Sequence, residues 1–289
     1  VRLLVLVTLC AGAGLAQQGL NRPQLASRAQ SFAEQLPNLV GTETLRQRSI
    51  SYASRLRIRV GEAALKPAPP KIRERTIHSE LAYALRGQQE KNWYELRTVL
   101  AVDGKRVNTP RKAREKLLLG LKSDDERQRL KLMEEFSRYG LEALATDYSL
   151  TLLLFRPGEI DRLRFEEAGS EFIGADRVLR YRFRRQDDGA AVTLYDQKQV
   201  VRQPLVGEIW VRQTDMTPLR IRLDSRLEQN GVMIEDTGEV EYDVSRFGVA
   251  VPVRVRHTRQ VNGRLVNETN YLYENFQKFG AETELKFNP

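Results

Sequence analysis

Apolar and polar positions alternate along most of this chain with a period of two, and keep a helical period only near its start and middle. Leu25, Ala29, Phe32, Ala33 and Leu36 recur at helical spacing after Pro23, and Pro37 discourages helix at the residue before it. This predicts an amphipathic helix over about 23–36, whose stripe must lie on something, most simply a sheet. Leu56, Ile58 and Val60 then alternate with Arg55, Arg57 and Arg59 as in a half-buried strand, and the Pro-rich stretch Lys66 to Lys71 ends it. Leu81, Tyr83 and Leu85 mark another strand, and Tyr94, Leu96, Thr98, Leu100 and Val102 make one face of a longer one. Asp103-Gly104 is a hairpin signal that returns the chain through Lys105 to Val107.

Residues 110–156 read as helical. Ser123 with Glu126 forms a capping box, Leu130, Met133 and Phe136 mark a buried stripe, and Gly140 is placed to end the helix. The run Leu150 to Phe155 is apolar throughout, and periodicity leaves helix and strand both open. From residue 160 the alternation returns. Leu163 and Phe165, then Leu179, Tyr181 and Phe183, are interleaved with arginines. Ile209 and Val211 precede Leu219, Ile221 and Leu223, which are expected to share a face; Val240 and Tyr242, then Val251, Val253 and Val255, then Tyr271 and Tyr273 continue the period. Asn230-Gly231 and Asn262-Gly263 are hairpin turns of the primed kind. Consecutive hairpins imply an α+β unit: a large curved antiparallel sheet, Arg-studded on one face, whose other face is covered by the helices over about 23–36 and 110–156. One domain over 17–289 is expected, with its β-rich part over 160–287.

The first sixteen residues stand apart. Arg2, the apolar run Leu3 to Leu9 and the small residues ending at Ala16 form the pattern of a secretory signal peptide. Cleavage there places the protein in the periplasm or outside the cell and removes the sole cysteine, Cys10, so the remainder has no thiol chemistry. Leu9 is not the small residue that lipoprotein processing needs before Cys10. No apolar run reaches the roughly 20 residues of a membrane helix. A net charge of +9 would suggest nucleic acid, but an exported chain meets anionic lipid headgroups instead.

Candidate chemistry is sparse. The two histidines, His78 and His257, lack a metal-ligand motif, and His257 reads as an ordinary strand-end residue at the edge of the core. There is no nucleophile elbow and no phosphate-cradling glycine loop. The pairs Glu166-Glu167 and Asp187-Asp188 sit in a strand and a turn, where they do not converge. No metal or organic cofactor is implied.

The segment GEIWV, the turn Thr217-Pro218 and the strand LRIRL resemble a strand pair of the lipoprotein-carrier (LolA-like) superfamily, and Tyr271 to Gly280 resembles its terminal strands. The chain is also similar to secreted bacterial proteins of unassigned activity that share the N-terminal helix and a V-D-G-x-x-V turn, here Val102 to Val107. The resemblance implies an unclosed barrel with an apolar cavity for acyl chains. This chain departs from it in its helical insert and in lacking an identifiable cavity arginine.

The expected function is non-catalytic binding of lipid or of an acylated protein, with an anionic membrane surface as a further partner and no nucleic acid. The site would be lined by Ile209, Val211, Leu219, Ile221, Leu223, Val240, Tyr242, Val253, Val255, Tyr271 and Tyr273. Two alternatives stay open: a protein-interaction module whose sheet is filled by its own helices, and an enzyme acting on cell-wall material. A converging acid pair or a His–acid contact would favour the enzyme.

Overall fold

The structure, a computed structural model, describes residues 19–53, 68–86, 92–122, 135, 138–142, 144–145, 147–186, 192–196, 199–203 and 206–278. The expected signal segment, the strand at 55–60 and the capping box at Ser123 lie outside the described residues. Helix α1 spans Arg22–Gln35, with Pro23 in its first turn and the Asn21 side chain accepting from the Gln24 amide. A 3-10 turn, Leu36–Asn38, leads into strand β1, Leu39–Ser51. Then follow β2 (Lys71–Arg86), β3 (Asn92–Val102), β4 (Lys105–Arg106), helix α2 (Pro110–Lys122) and β5 (Leu144–Ala145). A 3-10 segment over Tyr148–Phe155 precedes β6 (Leu163–Ile173) and β7 (Asp176–Arg185). The chain continues through β8 (Val192–Asp196), β9 (Gln199–Gln203), β10 (Val206–Arg212), β11 (Pro218–Gln229), β12 (Val232–Val244), β13 (Ala250–Val261) and β14 (Arg264–Lys278).

Eleven of these strands form one sheet in the order β4-β3-β2-β1-β14-β13-β12-β11-β10-β7-β6, and its two ends do not meet. Strands β5, β8 and β9 make a small second sheet. The pairing is antiparallel throughout. Both residues of Asp103-Gly104, Asn230-Gly231 and Asn262-Gly263 take positive φ, the geometry that makes two-residue hairpins match strand twist. β1 joins the two ends of the chain: it pairs with β2 on one side and β14 on the other. The alternation did not reveal this strand. Its inward positions are Leu39, Gly41, Glu43, Leu45, Gln47 and Ser49, buried in strict alternation but half of them polar.

The first helical region is as the spacing predicts, and the second differs from expectation. The inner face carries α1 and the 3-10 segment, lying side by side across the strands. Phe32 meets the ring of Tyr242, Arg22 lies over Phe165, and Phe155 packs edge-on against Phe183. The run Leu150 to Phe155 is thus neither α-helix nor strand; Leu152 and Phe155 are fully buried and Thr151 nearly so, which is why it shows no amphipathic period. Helix α2, by contrast, lies on the outer face, because Arg114 pairs with Glu80, which alternates with the inward Ser79 and Leu81. The described helices therefore cover the inner face with one α-helix and one 3-10 segment, less than the helical layer expected over 110–156.

On the outer face, arginines meet glutamates across strands. Arg182 pairs with Glu208, Arg220 with Glu239 and Glu241, Arg254 with Glu241, and Arg256 with Glu268. Each exposed pair is worth no more than about 1 kcal/mol, and together they offset part of the charge of the Arg stripes.

Two close contacts set how the cover seats. Phe32 is fully buried, and a Cβ added at Gly238 would lie 2.1 Å from the Tyr148 ring, so only glycine there admits the 3-10 segment. Phe32→Ala is expected to cost about 3–5 kcal/mol and Gly238→Ala about 1–3 kcal/mol, read by urea unfolding. Losses below about 0.5 kcal/mol at both sites would contradict this seating of the cover.

Candidate functional site

Strand register builds an unbroken apolar rib along the inner face. Tyr181, Ile209, Ile221, Val240, Val255, Tyr271, Leu45, Ile77 and Val102 stand opposite one another in turn across nine strands, β7 to β3. All but the half-buried Val102 are exposed by 3% or less. Beside the rib, Val211 and Leu223 are buried in the same core, as are Tyr242 and Tyr273.

Two expected members fall outside this surface, both at register shifts. The shift at Trp210/Val211 sends Leu219 to the opposite face, where it packs with Val178 and Trp210. The shift at Glu241/Tyr242 leaves Val253 half-buried between the core residues Val251 and Val255. Strict alternation cannot anticipate a bulge, since one extra residue reverses every side chain beyond it.

The rib is flanked by buried ion networks that no motif announced. Arg97 donates from Nε to both oxygens of Glu43 at 2.9 Å, and its Nη1 lies 2.6 Å from Glu95. Glu95 in turn accepts the Asp147 amide at 3.0 Å and the Ser149 hydroxyl, anchoring the start of the 3-10 segment. Tyr242 holds its middle, with its hydroxyl bonded to Thr151 and accepting the Leu152 amide. The inward face of β3 thus carries Glu95 and Arg97 with Val99, while Leu96 and Thr98 face the side where α2 lies; Val102, expected on their face, turns inward past the register shift at His78/Ser79. The sequence did not single out this buried Arg97.

His257 is not a strand-end residue. It is fully buried in mid-strand, and its Nε2 lies 2.9 Å from Asp236 Oδ1. Arg259 donates to the same carboxylate from Nε and Nη2, and the Tyr148 ring lies 5.6 Å from the imidazole. The His–acid contact that would favour an enzyme is therefore present. The two side chains are 0% and 1% exposed, so neither faces a substrate in this state. Glu43 and Glu95 converge on Arg97 and are sealed in the same way. Among the described residues, no group of three or more His, Cys, Asp or Glu is disposed to hold a metal ion.

The carboxylates titrate in opposite directions. Burial pushes Glu43 above its ordinary 4.5, more than the Arg97 charge and hydrogen bonds pull it down. Burial also raises Asp236, but hydrogen bonds from His257 and Arg259 outweigh it and hold the group below 3.8. Asp236 therefore contributes stability above its unfolded pKa that is lost as pH falls through its lower folded value. Glu43 does the reverse: its contribution is complete below 4.5 and is lost as pH rises through its higher folded value. Asp236→Asn is expected to cost about 3–5 kcal/mol near neutral pH, because Arg259 is left without its buried countercharge. Glu43→Gln is expected to cost less, and to gain on the unsubstituted chain as pH rises. Urea midpoints at about pH 5 and about pH 8 check this, and equal costs for both variants at the higher pH would contradict it.

No protein-family model matches the sequence, and no curated protein matches it. Among solved structures, the chain is similar to an outer membrane lipoprotein-sorting protein domain from Vibrio parahaemolyticus, with 9% identity and a TM-score of 0.38 over 89% of this chain and 92% of that one. It is also similar to a DUF1329 family protein from Desulfovibrio piger, at 11% identity and a TM-score of 0.36 over 92% and 95% of the two chains. A LolA-superfamily protein from Nitrosomonas europaea follows at 9% identity and a TM-score of 0.33, over 93% and 99%.

Proposed function

We propose that this chain is an exported, non-catalytic binding protein that takes the acyl chain of a lipid or of an acylated protein along the rib, beneath α1. The observation that carries this reading is the continuous apolar rib under a cover that is a separate element and not part of the sheet. From Tyr181 to Val255 the rib crosses four strand spacings, about 19 Å. Half the hydrocarbon core of a bilayer, the depth one acyl chain fills, is about 15 Å. Helix α1, at 14 residues, is about 21 Å long, close to the span of the rib and enough to cover such a chain.

The anchors say which part of the cover yields. The 3-10 segment is held by buried bonds to Glu95 and Tyr242. Helix α1 rests on apolar packing, on the Arg22 contact with the Phe165 ring, and on the half-exposed Arg28, which pairs with Asp215 at 3.1 Å and donates to its carbonyl. Lifting α1 uncovers Leu25 and Phe32 at about 1.5–3 kcal/mol each, whereas burying about twelve methylenes gains about 10 kcal/mol. An acyl chain can therefore replace the helix stripe. In the state described, the rib is filled by the chain's own side chains, which favours a second reading: a protein-interaction module using other surfaces.

Bridging α1 to the 213–217 loop separates the two. In a Cys10→Ser background, Arg28→Cys with Asp215→Cys joined by a short cleavable bismaleimide is expected to abolish uptake of a lysophospholipid, read by native mass spectrometry. Cleaving the bridge is expected to restore it. Equal uptake with the bridge in place, or none by the unsubstituted chain, would overturn the acyl-chain reading.

A further inference from the structure

The end of the sheet where β6 turns into β7 presents an unusual set of side chains. Phe172, beside the β6–β7 turn, is 70% exposed, the most exposed large apolar residue among those described. The turn beneath it is held by Ile173 packing on the outer cluster of Val178, Trp210 and Leu219, so the aromatic is presented on a braced hairpin. Directly across the strand pair from Phe172 stands Arg177, exposed and, among the described residues, without an ion pair. Because the strands are antiparallel, the β12–β13 turn and the end of β14 project from this same end. There Val244 is 44% exposed, and the ring of Phe247 carries Arg246 at 4.9 Å and Lys278 at 5.2 Å.

Most nearby acids are engaged. Asp176 and Asp215 both pair with Arg212, Asp215 also with Arg28, and Glu171 accepts from Trp210. The exposed Asp243 accepts only the Val244 amide, so this end offers outward exposed apolar side chains beside three cations, Arg177, Arg246 and Lys278, that have no ion pair among the described residues, and one carboxylate. The two turns are four strand spacings apart between β7 and β13, about 19 Å. A protein interface needs a contiguous apolar core. A bilayer surface is fluid and accepts separated tips, with aromatic rings at headgroup level and cations near phosphates.

We propose that this end of the sheet docks the protein on an anionic membrane, with Phe172 entering the interface and Arg177, Arg246 and Lys278 meeting lipid phosphates. The inference uses residues outside the rib and does not depend on the acyl-chain reading. It is tested by co-sedimentation of otherwise identical full chains with phosphatidylglycerol and phosphatidylcholine vesicles. The unsubstituted chain is expected to bind the anionic vesicles selectively, and high salt to weaken that binding. Phe172→Ser is expected to weaken it about tenfold with unchanged circular dichroism, the scale of withdrawing one aromatic ring from an apolar environment. Arg177→Gln combined with Arg246→Gln is expected to weaken it and flatten the salt dependence. Equal binding to both vesicle types, no binding to either, or a Phe172→Ser variant that binds as the unsubstituted chain does would overturn the proposal.

Discussion

The inner face of a sheet whose ends do not meet has to be dry, and nearly every other feature of this fold follows from how that is achieved. A closed barrel would bury such a face by filling its own interior. Here β4 and β6 remain separate edges, so cover must come from outside the sheet. The rib from Tyr181 to Val102 runs perpendicular to the strands, and α1 and the 3-10 segment run along it. Gly238 lets the Tyr148 ring come close against the sheet, and the small residues Ala26, Ala29 and Ala33 let α1 approach closely.

The polar residues inside the fold follow the same constraint. Strands β1, β3, β12, β13 and β14 bring charged and amide side chains inward, where they pair with one another; His257 Nδ1 alone of these networks is left without a hydrogen-bond partner among the described residues. Glu43 and Glu95 share Arg97, and Asp236 binds His257 and Arg259. Gln47 and Asn267 both hold the Glu142 carbonyl. These networks do more than neutralise charge, because two of them reach out of the sheet to hold the chain that crosses it. The cover consequently has a pinned half, at 142 and 147–152, and a half held mainly by apolar contact, α1. That asymmetry gives an otherwise filled core a part that can move.

Where burial and hydrophobicity coincide, the sequence was readable. The α1 stripe, the primed hairpins and the alternation of β7, β10, β11 and β12 place Ile209, Val211, Ile221, Leu223, Val240 and Tyr242 in the core. Where the two part company, it was not. β1 buries Glu43, Gln47 and Ser49, so its alternation is one of burial and not of hydrophobicity. β3 turns Glu95 and Arg97 inward for the same reason, and Leu96 and Thr98 on its other face belong to α2's side. Leu219 and Val253 were misplaced by bulges, which carry no single-residue signature. A spacing of two between His257 and Arg259, opposite Asp236 on the neighbouring strand, is a signal only once the register is known.

The central claim is that the rib between the sheet and α1 is where an acyl chain lies. It is tested most directly by irradiating the protein with a phospholipid whose acyl chain carries a diazirine, and mapping the adducts by peptide mass spectrometry. The account predicts adducts on the inward residues of β10, β11 and β12 and on the buried stripe of α1. Adducts confined to the outer face, or their persistence when α1 is tethered, would contradict it.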